Sequence, residues 1–252
     1  MEEQSINKKI YLKNGKVDRH FLAEANIKLR DEDILTIIQW AKDVFGEEEI
    51  AMTTAFGYSG LTLLDHVLKI MPDIKLYFID TGFHFQETLE FCNKLSKMWN
   101  LNIEILKPDL SKKELEKKLG KEPYKTNADL CCHYNKTEPL LRILRKHAVW
   151  LSGIRRDQSI TRADIEILEL DGRGVIKLSP MAKWTRKQTW DYIRNNNIPY
   201  SPLHDKGYYS IGCEPCTKSI DEGGDERDGR WPFMQKLECG IHLNNDKNIS
   251  DF

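Results

Sequence analysis

No stretch of this chain approaches the length of an apolar membrane span, and its first ten residues, MEEQSINKKI, lack the apolar centre of an export signal. The expectation is a cytoplasmic protein with no membrane role. An excess of either charge is missing as well, since 38 Lys and Arg stand against 39 Asp and Glu, for a formal net charge of -1. That balance speaks against a nucleic-acid partner but leaves room for a local basic pocket around a small anion. Internal repeats are absent. Cysteine is sparse, with six in 252 residues, and in a reducing compartment these are not expected to form a disulfide framework.

What is present is the pattern of an α/β domain. Hydrophobic residues make up 40% of the chain, enough for a proper core at this length. Ile34, Leu35, Ile37, Ile38, Ala41 and Val44 recur at helical spacing over Asp31–Phe45. A strand is expected at 50–55, a Gly-bearing turn at 56–60, and a helix carrying Leu61, Leu64, Val67, Leu68 and Met71. A strand at 74–79 runs into Asp80-Thr81-Gly82, a helix follows from Gln86 to Met98, and further strands are expected at 101–106 and 148–153. Strand–helix alternation of this kind implies parallel strands joined by right-handed crossovers. Ligands in such sheets bind beyond the carboxyl ends of the strands, where the polar and Gly-rich residues of this chain gather. Residues 1–25 read as an N-terminal arm, 26–216 as the main domain, and 217–252 as a mobile C-terminal tail.

The cysteines fall into two tight pairs, Cys131-Cys132 and Cys213-x-x-Cys216, and two singles, Cys92 and Cys239. Four thiolates from two segments suit zinc or an iron–sulfur cluster. Tandem cysteines project in different directions, which is awkward for one small ion and easier for the separate corners of a [4Fe–4S] cubane; zinc stays open as the alternative. Cys92 lies on an amphipathic helix and reads as a packing residue.

These motifs carry a resemblance. Cys131-Cys132-x-x-x-Lys136-x-x-Pro139-Leu140, Ile211-Gly212-Cys213-x-x-Cys216 and Glu238-Cys239-Gly240-Ile241-His242 together resemble the assimilatory adenylyl-sulfate (APS) reductases of the APS/PAPS reductase family. Thr54-Ala55-Phe56-Gly57, Asp80-Thr81-Gly82, Gly153-Ile154-Arg155-Arg156-x-Gln158-Ser159 and Arg227-x-Gly229-Arg230-Trp231 extend it over about residues 48–242. The chain departs from the family pattern at Ala55, at Tyr58-Ser59-Gly60, at Asn135 and in the shortened run Trp231-Pro232-Phe233. The resemblance implies a PP-loop (adenine nucleotide α-hydrolase-like) fold and a [4Fe–4S] cluster on Cys131, Cys132, Cys213 and Cys216. It also implies reduction of APS to sulfite and AMP through an S-sulfocysteine on Cys239, discharged by a thioredoxin or glutaredoxin-like dithiol.

On that view the substrate anions need cations. Lys136, one helical turn beyond Cys132, is placed between cluster and substrate, with Arg162, Arg227 and Arg230 as the first further candidates and Arg155 next. His242 is expected to lend positive charge to Cys239. Gly57 and Gly153 are expected to let the backbone approach the adenosine. The rival assignments are a PAPS or dual APS/PAPS reductase, a PP-loop tRNA sulfurtransferase, and a non-enzymatic zinc or redox-sensing module.

Overall fold

The computed structural model describes residue 10 and residues 17–221 and 223–242. Strand β1 (Ile50–Thr53) lies inside a six-stranded sheet completed by β2 (Lys75–Ile79), β3 (Ile103–Leu106), β4 (Val149–Leu151), β5 (Leu168–Leu170) and β6 (Ile176–Leu178). The spatial order is β3-β2-β1-β4-β6-β5. All neighbours run parallel except β5 and β6, which pair antiparallel. The chain moves outward from β1 through β2 to β3, then returns to lay β4 on the other flank of β1. This reversal opens a crevice between the β1 and β4 carboxyl ends.

The pleat sorts side chains by alternation. Ile50, Met52, Leu76, Val149 and Leu151 enter one core with helices α1 (Arg19–Leu29), α2 (Ile34–Phe45) and α3 (Tyr58–Ile70). Ala51, Tyr77 and Trp150, one residue out of phase, face a second core on α8 (Glu138–Leu144). Phe78 joins Phe91, Cys92 and Leu95 of α4 (Gln86–Met98) and Ile193 of α9 (Arg186–Asn195) in a third. Among the described residues no helix is long and apolar enough to cross a membrane.

The observed elements trim and correct the expected ones. Helix α2 starts at Ile34, not Asp31, because the Asp33 side chain accepts from the Thr36 amide and caps it. The boundary expected at 25/26 falls inside α1, whose Leu22, Ala25 and Leu29 are buried in the main core. The segment 163–178 closes as the β5–β6 hairpin. Residues 217–221 and 223–242 fold back on the domain: the Lys218 amide donates to the Gly229 carbonyl, the Trp231 amide to that of Cys216, and Trp231 is buried. Residues 243–252 of the expected tail lie outside the described residues.

Candidate active site

Between β3 and α8 the chain makes α5 (Lys112–Leu119), α6 (Pro123–Thr126) and α7 (Ala128–Cys132). Sequence periodicity runs α7 straight on to Lys136, but the structure inserts a π-helical turn at His133–Thr137. Pro139 supplies the reason. It has no amide to return to Asn135, and its ring crowds that carbonyl, so the turn widens and Glu138 donates to His133. The Asn135 side chain folds back onto the Cys131 carbonyl at 2.8 Å. Lys136 therefore does not sit one ordinary α-turn above Cys132.

Cys213 and Cys216 arrive from the far side. Residues 83–84, beyond β2, pair with this segment: Glu214 donates to the Phe83 carbonyl at 2.7 Å, and His84 bridges Cys213. Thr81 Oγ1 lies 3.4 Å from Cys213 Sγ. Cys131, Cys132, Cys213, Cys216 and Lys136 thereby line a single pocket with Phe83 and Tyr124. All four cysteines are free thiols. Burial is the first cause that pushes Cys131 and Cys216 up to about 12 and Cys132 up to about 11. Four soft donors lining one pocket are the donor set a thiolate-bound metal centre takes, whose positive charge would replace their protons.

A cleft of about 250 Å³ lies next to this pocket and runs along the β1 and β4 ends. Thr53–Gly60 and Ser152–Ile154 form one part of its wall, and Arg162, Arg227, Arg230, Trp231 and Cys239 another. Lys136 lines both cavities. Burial disfavours its charge, yet the nearby Cys213, Cys239 and Cys132 sulfurs raise its pKa and keep it an ammonium. Burial likewise opposes the Cys239 thiolate, but Lys136, the Ile241 amide and Arg227 outweigh it and lower the Cys239 pKa. Cys239 and Lys136 thus line one cleft, and the nearby ammonium favours the thiolate form of the cysteine.

The expected cations divide. Arg162 grips the Glu238 carboxylate through Nε at 2.8 Å and Nη2 at 3.0 Å, and Arg227 reaches it at 3.1 Å. Both arginines hold the residue before Cys239 rather than standing free for substrate. Burial and the neighbouring Arg162 lower the Arg227 pKa to about 10, with Glu238 acting against that shift. Among the described residues Lys136 and Arg230 have no carboxylate partner. Arg155 does not line the cleft; it is fully buried and bonded to Asp157, Glu226, Tyr58 and Ser59. It is therefore structural in this arrangement.

His242 is also reassigned. Its ring lies flat on Trp150, with centroids 5.1 Å apart and 5° between planes. Burial first, then Arg162, Lys177, Arg173 and Arg227, hold it well below the ordinary imidazole range. It stacks as a neutral ring, and the charge near Cys239 comes from Lys136. Arg173, paired to Asp171 at 2.6 Å, donates to the Ile241 carbonyl and fastens the tail beside that stack. Of the two glycines, Gly57 has open space where a side chain would stand, as a ligand-facing position requires. Gly153 instead meets the Ser59 and Gly60 backbone at 3.1 to 3.3 Å, so its missing side chain serves the packing of two loops. Sequence reasoning assigned no role to Glu238, Trp231, His84 or His204, all in or beside the cleft. Only Glu238 carried a signal, its place next to Cys239.

The family model described as the phosphoadenosine phosphosulfate reductase domain matches residues 49–219. Adenosine 5'-phosphosulfate reductase 2 of Bacillus subtilis is 43% identical over 212 residues, covering 83% of this chain and 89% of that protein. The adenosine 5'-phosphosulfate reductase of Halalkalibacterium halodurans is 39% identical over 221 residues, covering 87% and 95%. Among solved structures, the phosphoadenylyl-sulfate reductase of Candida auris superposes with a TM-score of 0.71 at 30% identity, covering 81% of this chain and 98% of that one. With a family domain over most of its length and relatives near 40% identity across nearly all of it, this chain belongs to the phosphoadenosine phosphosulfate reductase family.

Proposed function

We propose that this protein reduces adenosine 5'-phosphosulfate to sulfite and AMP, with Cys239 as the nucleophile and an external dithiol as the reductant. The observation that carries this reading is that Cys239 and the buried Lys136 line one cleft at the switch point of the sheet, with Lys136 lowering the Cys239 pKa. The adenosine half is assigned to the loops at 54–60 and 152–154 and the sulfuryl group to the end bounded by Lys136, Arg230 and Cys239. Cys239 thiolate attacks the sulfur of the sulfuryl group, the bond from sulfur to the bridging oxygen breaks, and AMP leaves with that oxygen. A dithiol of the thioredoxin class then attacks Cys239 Sγ, sulfite departs, and the second thiol closes the carrier disulfide while Cys239 is restored as thiolate.

Cys131, Cys132, Cys213 and Cys216 are the residues that would hold a [4Fe–4S] cluster. When bound, that group supplies charge next to Lys136 and ties the two cysteine segments together. The displacement chemistry above is complete in electrons without it. The named relatives and the paired cysteines support APS over its 3'-phosphorylated form. Sulfite release measured separately with the two nucleotides and reduced thioredoxin tests this; turnover confined to the 3'-phosphorylated nucleotide, or no sulfite from either, overturns it.

Lys136→Ala probes the electrostatics. It removes a cation but no cysteine, so metal content is expected to survive while turnover falls. One charge-assisted contact is worth about 1.5–3 kcal/mol, or roughly ten- to a hundredfold. The sign with pH follows from the lowered Cys239 pKa. Thiolate, and hence the rate of sulfur transfer, rises with pH up to that pKa and then levels. Without Lys136 the rising limb moves to higher pH. A parental rate and an unmoved limb would assign Lys136 no part in either.

A further inference from the structure

An enclosed polar cluster stands in the wall of the cleft, around a carboxylate to which the chemistry above gives no role. Glu226, in the tail, is only 8% exposed, and a carboxylate so placed needs partners. It accepts from the Tyr58 hydroxyl, from Arg155 Nη2 at 2.6 Å and from Gln158 Nε2 at 3.2 Å. Tyr58 opens α3 in the loop after β1, while Arg155 and Gln158 belong to the loop after β4. One tail carboxylate therefore bolts the C-terminal segment to both loops that flank the switch point. It is followed in the chain by Arg227, which holds Glu238 beside Cys239, and by Arg230 of the sulfuryl end. The turn that follows is tight, with Asp228 donating to Asp225 and Arg230 to Arg227. Arg227 leaves it toward the Leu237 carbonyl and Glu238. Arg230 lies over the Trp231 ring at 4.6 Å and against Gly212, where any side chain would overlap its guanidinium.

We propose that Glu226 is a positioning residue: clamped by Arg155, Tyr58 and Gln158, it fixes where Arg230 stands at the sulfuryl end of the cleft and where Arg227 holds Glu238 beside Cys239. It acts through them and touches neither sulfur nor nucleophile. This rests on the assignment of Cys239 above. Loosening the clamp misplaces cations that count when charge moves from the sulfuryl group to the departing phosphate, so the transfer step suffers more than nucleotide affinity. A bland alternative is that Glu226 only neutralises the buried Arg155, and the two roles separate experimentally. Removing both charges with apolar side chains of similar length leaves no buried ion unpaired, yet it leaves the tail unbolted.

The test uses the full chain as parent, Glu226→Gln and the double variant Arg155→Met/Glu226→Met. Three quantities are measured: melting temperature, AMP dissociation constant, and single-turnover rate of mass gain on Cys239 with APS. Both variants are expected to transfer ten- to a hundredfold more slowly than the parent, with AMP affinity changed by less than about threefold. The double variant is expected to keep that slow rate while melting close to the parent. A parental rate in the double variant reduces Glu226 to a counter-charge and overturns the proposal. So does a parental rate in Glu226→Gln, or a loss of AMP affinity as large as the loss of rate. Should Glu226→Gln not fold, the double variant alone decides by the same criteria. A parent that gains no mass on Cys239 brings down the nucleophile assignment, and this inference with it, a result distinct from a labelled parent with equally fast variants.

Discussion

Cys239→Ser protein mixed with APS is expected to bind the nucleotide, release no AMP and gain no mass. The parent, without any dithiol, is expected to release AMP once and gain about 80 Da, the mass of one sulfuryl group. The contrast follows from the state of the sulfur. Burial and Glu238 oppose the Cys239 thiolate, but Lys136, the Ile241 amide and Arg227 lower its pKa, so the thiolate is favoured in the parent. A serine hydroxyl in the same place stays protonated and is a poor nucleophile toward sulfur, and loss of the nucleophile costs about 10³-fold or more. Reduced thioredoxin added to the labelled parent is expected to discharge the group as free sulfite, because the incoming thiolate attacks Cys239 Sγ and sulfite leaves readily. Cys92→Ser controls for stray thiol chemistry: burial pushes Cys92 up to about 11, so it stays a protonated core thiol and its loss should leave labelling unchanged. Peptide mapping that places the added mass elsewhere than Cys239, or full turnover in Cys239→Ser, sinks the mechanism.

The other large effect is expected at the cysteine pocket. Anaerobically purified protein should be brown and hold about four irons per chain. Serine at any one of Cys131, Cys132, Cys213 or Cys216 should lower iron and turnover together. The four sulfurs line one pocket, yet they come from two segments about eighty residues apart in sequence. Losing one ligand therefore also frees one segment, and loss of a centre that joins two segments is felt as lost folding energy. Because burial holds Cys131, Cys132 and Cys216 as thiols, loading must expel their protons and is expected to weaken as pH falls. Iron content by itself, without any activity assay, decides the matter. Stoichiometric zinc in place of iron would refute the cluster and leave the Cys239 chemistry untouched.

Much of the architecture could be read from the chain by pattern alone. The α4 helix lies where its periodicity put it, and the strands differ from expectation by a residue or two at their ends. Alternation along β1 and β4 and helical spacing along α2 are local properties, dictated by which side chains must leave water, so a one-dimensional pattern carries them. The cysteine pairs and the Glu238-Cys239-Gly240 run were legible for a different reason: soft donors and a lone thiol are chemically conspicuous wherever they fold.

The roles of the charged residues were not legible, because charge is decided by partners distant in sequence. Arg155 reads as a free cation in its motif, yet Glu226, seventy-one positions on, consumes it in a buried network. Arg162 is taken by Glu238 in the same way, seventy-six positions on. His242 was expected to be charged, and the cations and Trp150 around it make it a neutral stacking ring. Sequence by itself determined the α/β class, from local pattern, and the family, from its motifs taken together. Tertiary structure alone decided that the chain up to His242 packs back onto the sheet, with Ile241 against the second core and His242 on Trp150. It also decided which cations stay unpaired, because burial and ion pairing depend on what the fold brings within a few ångströms.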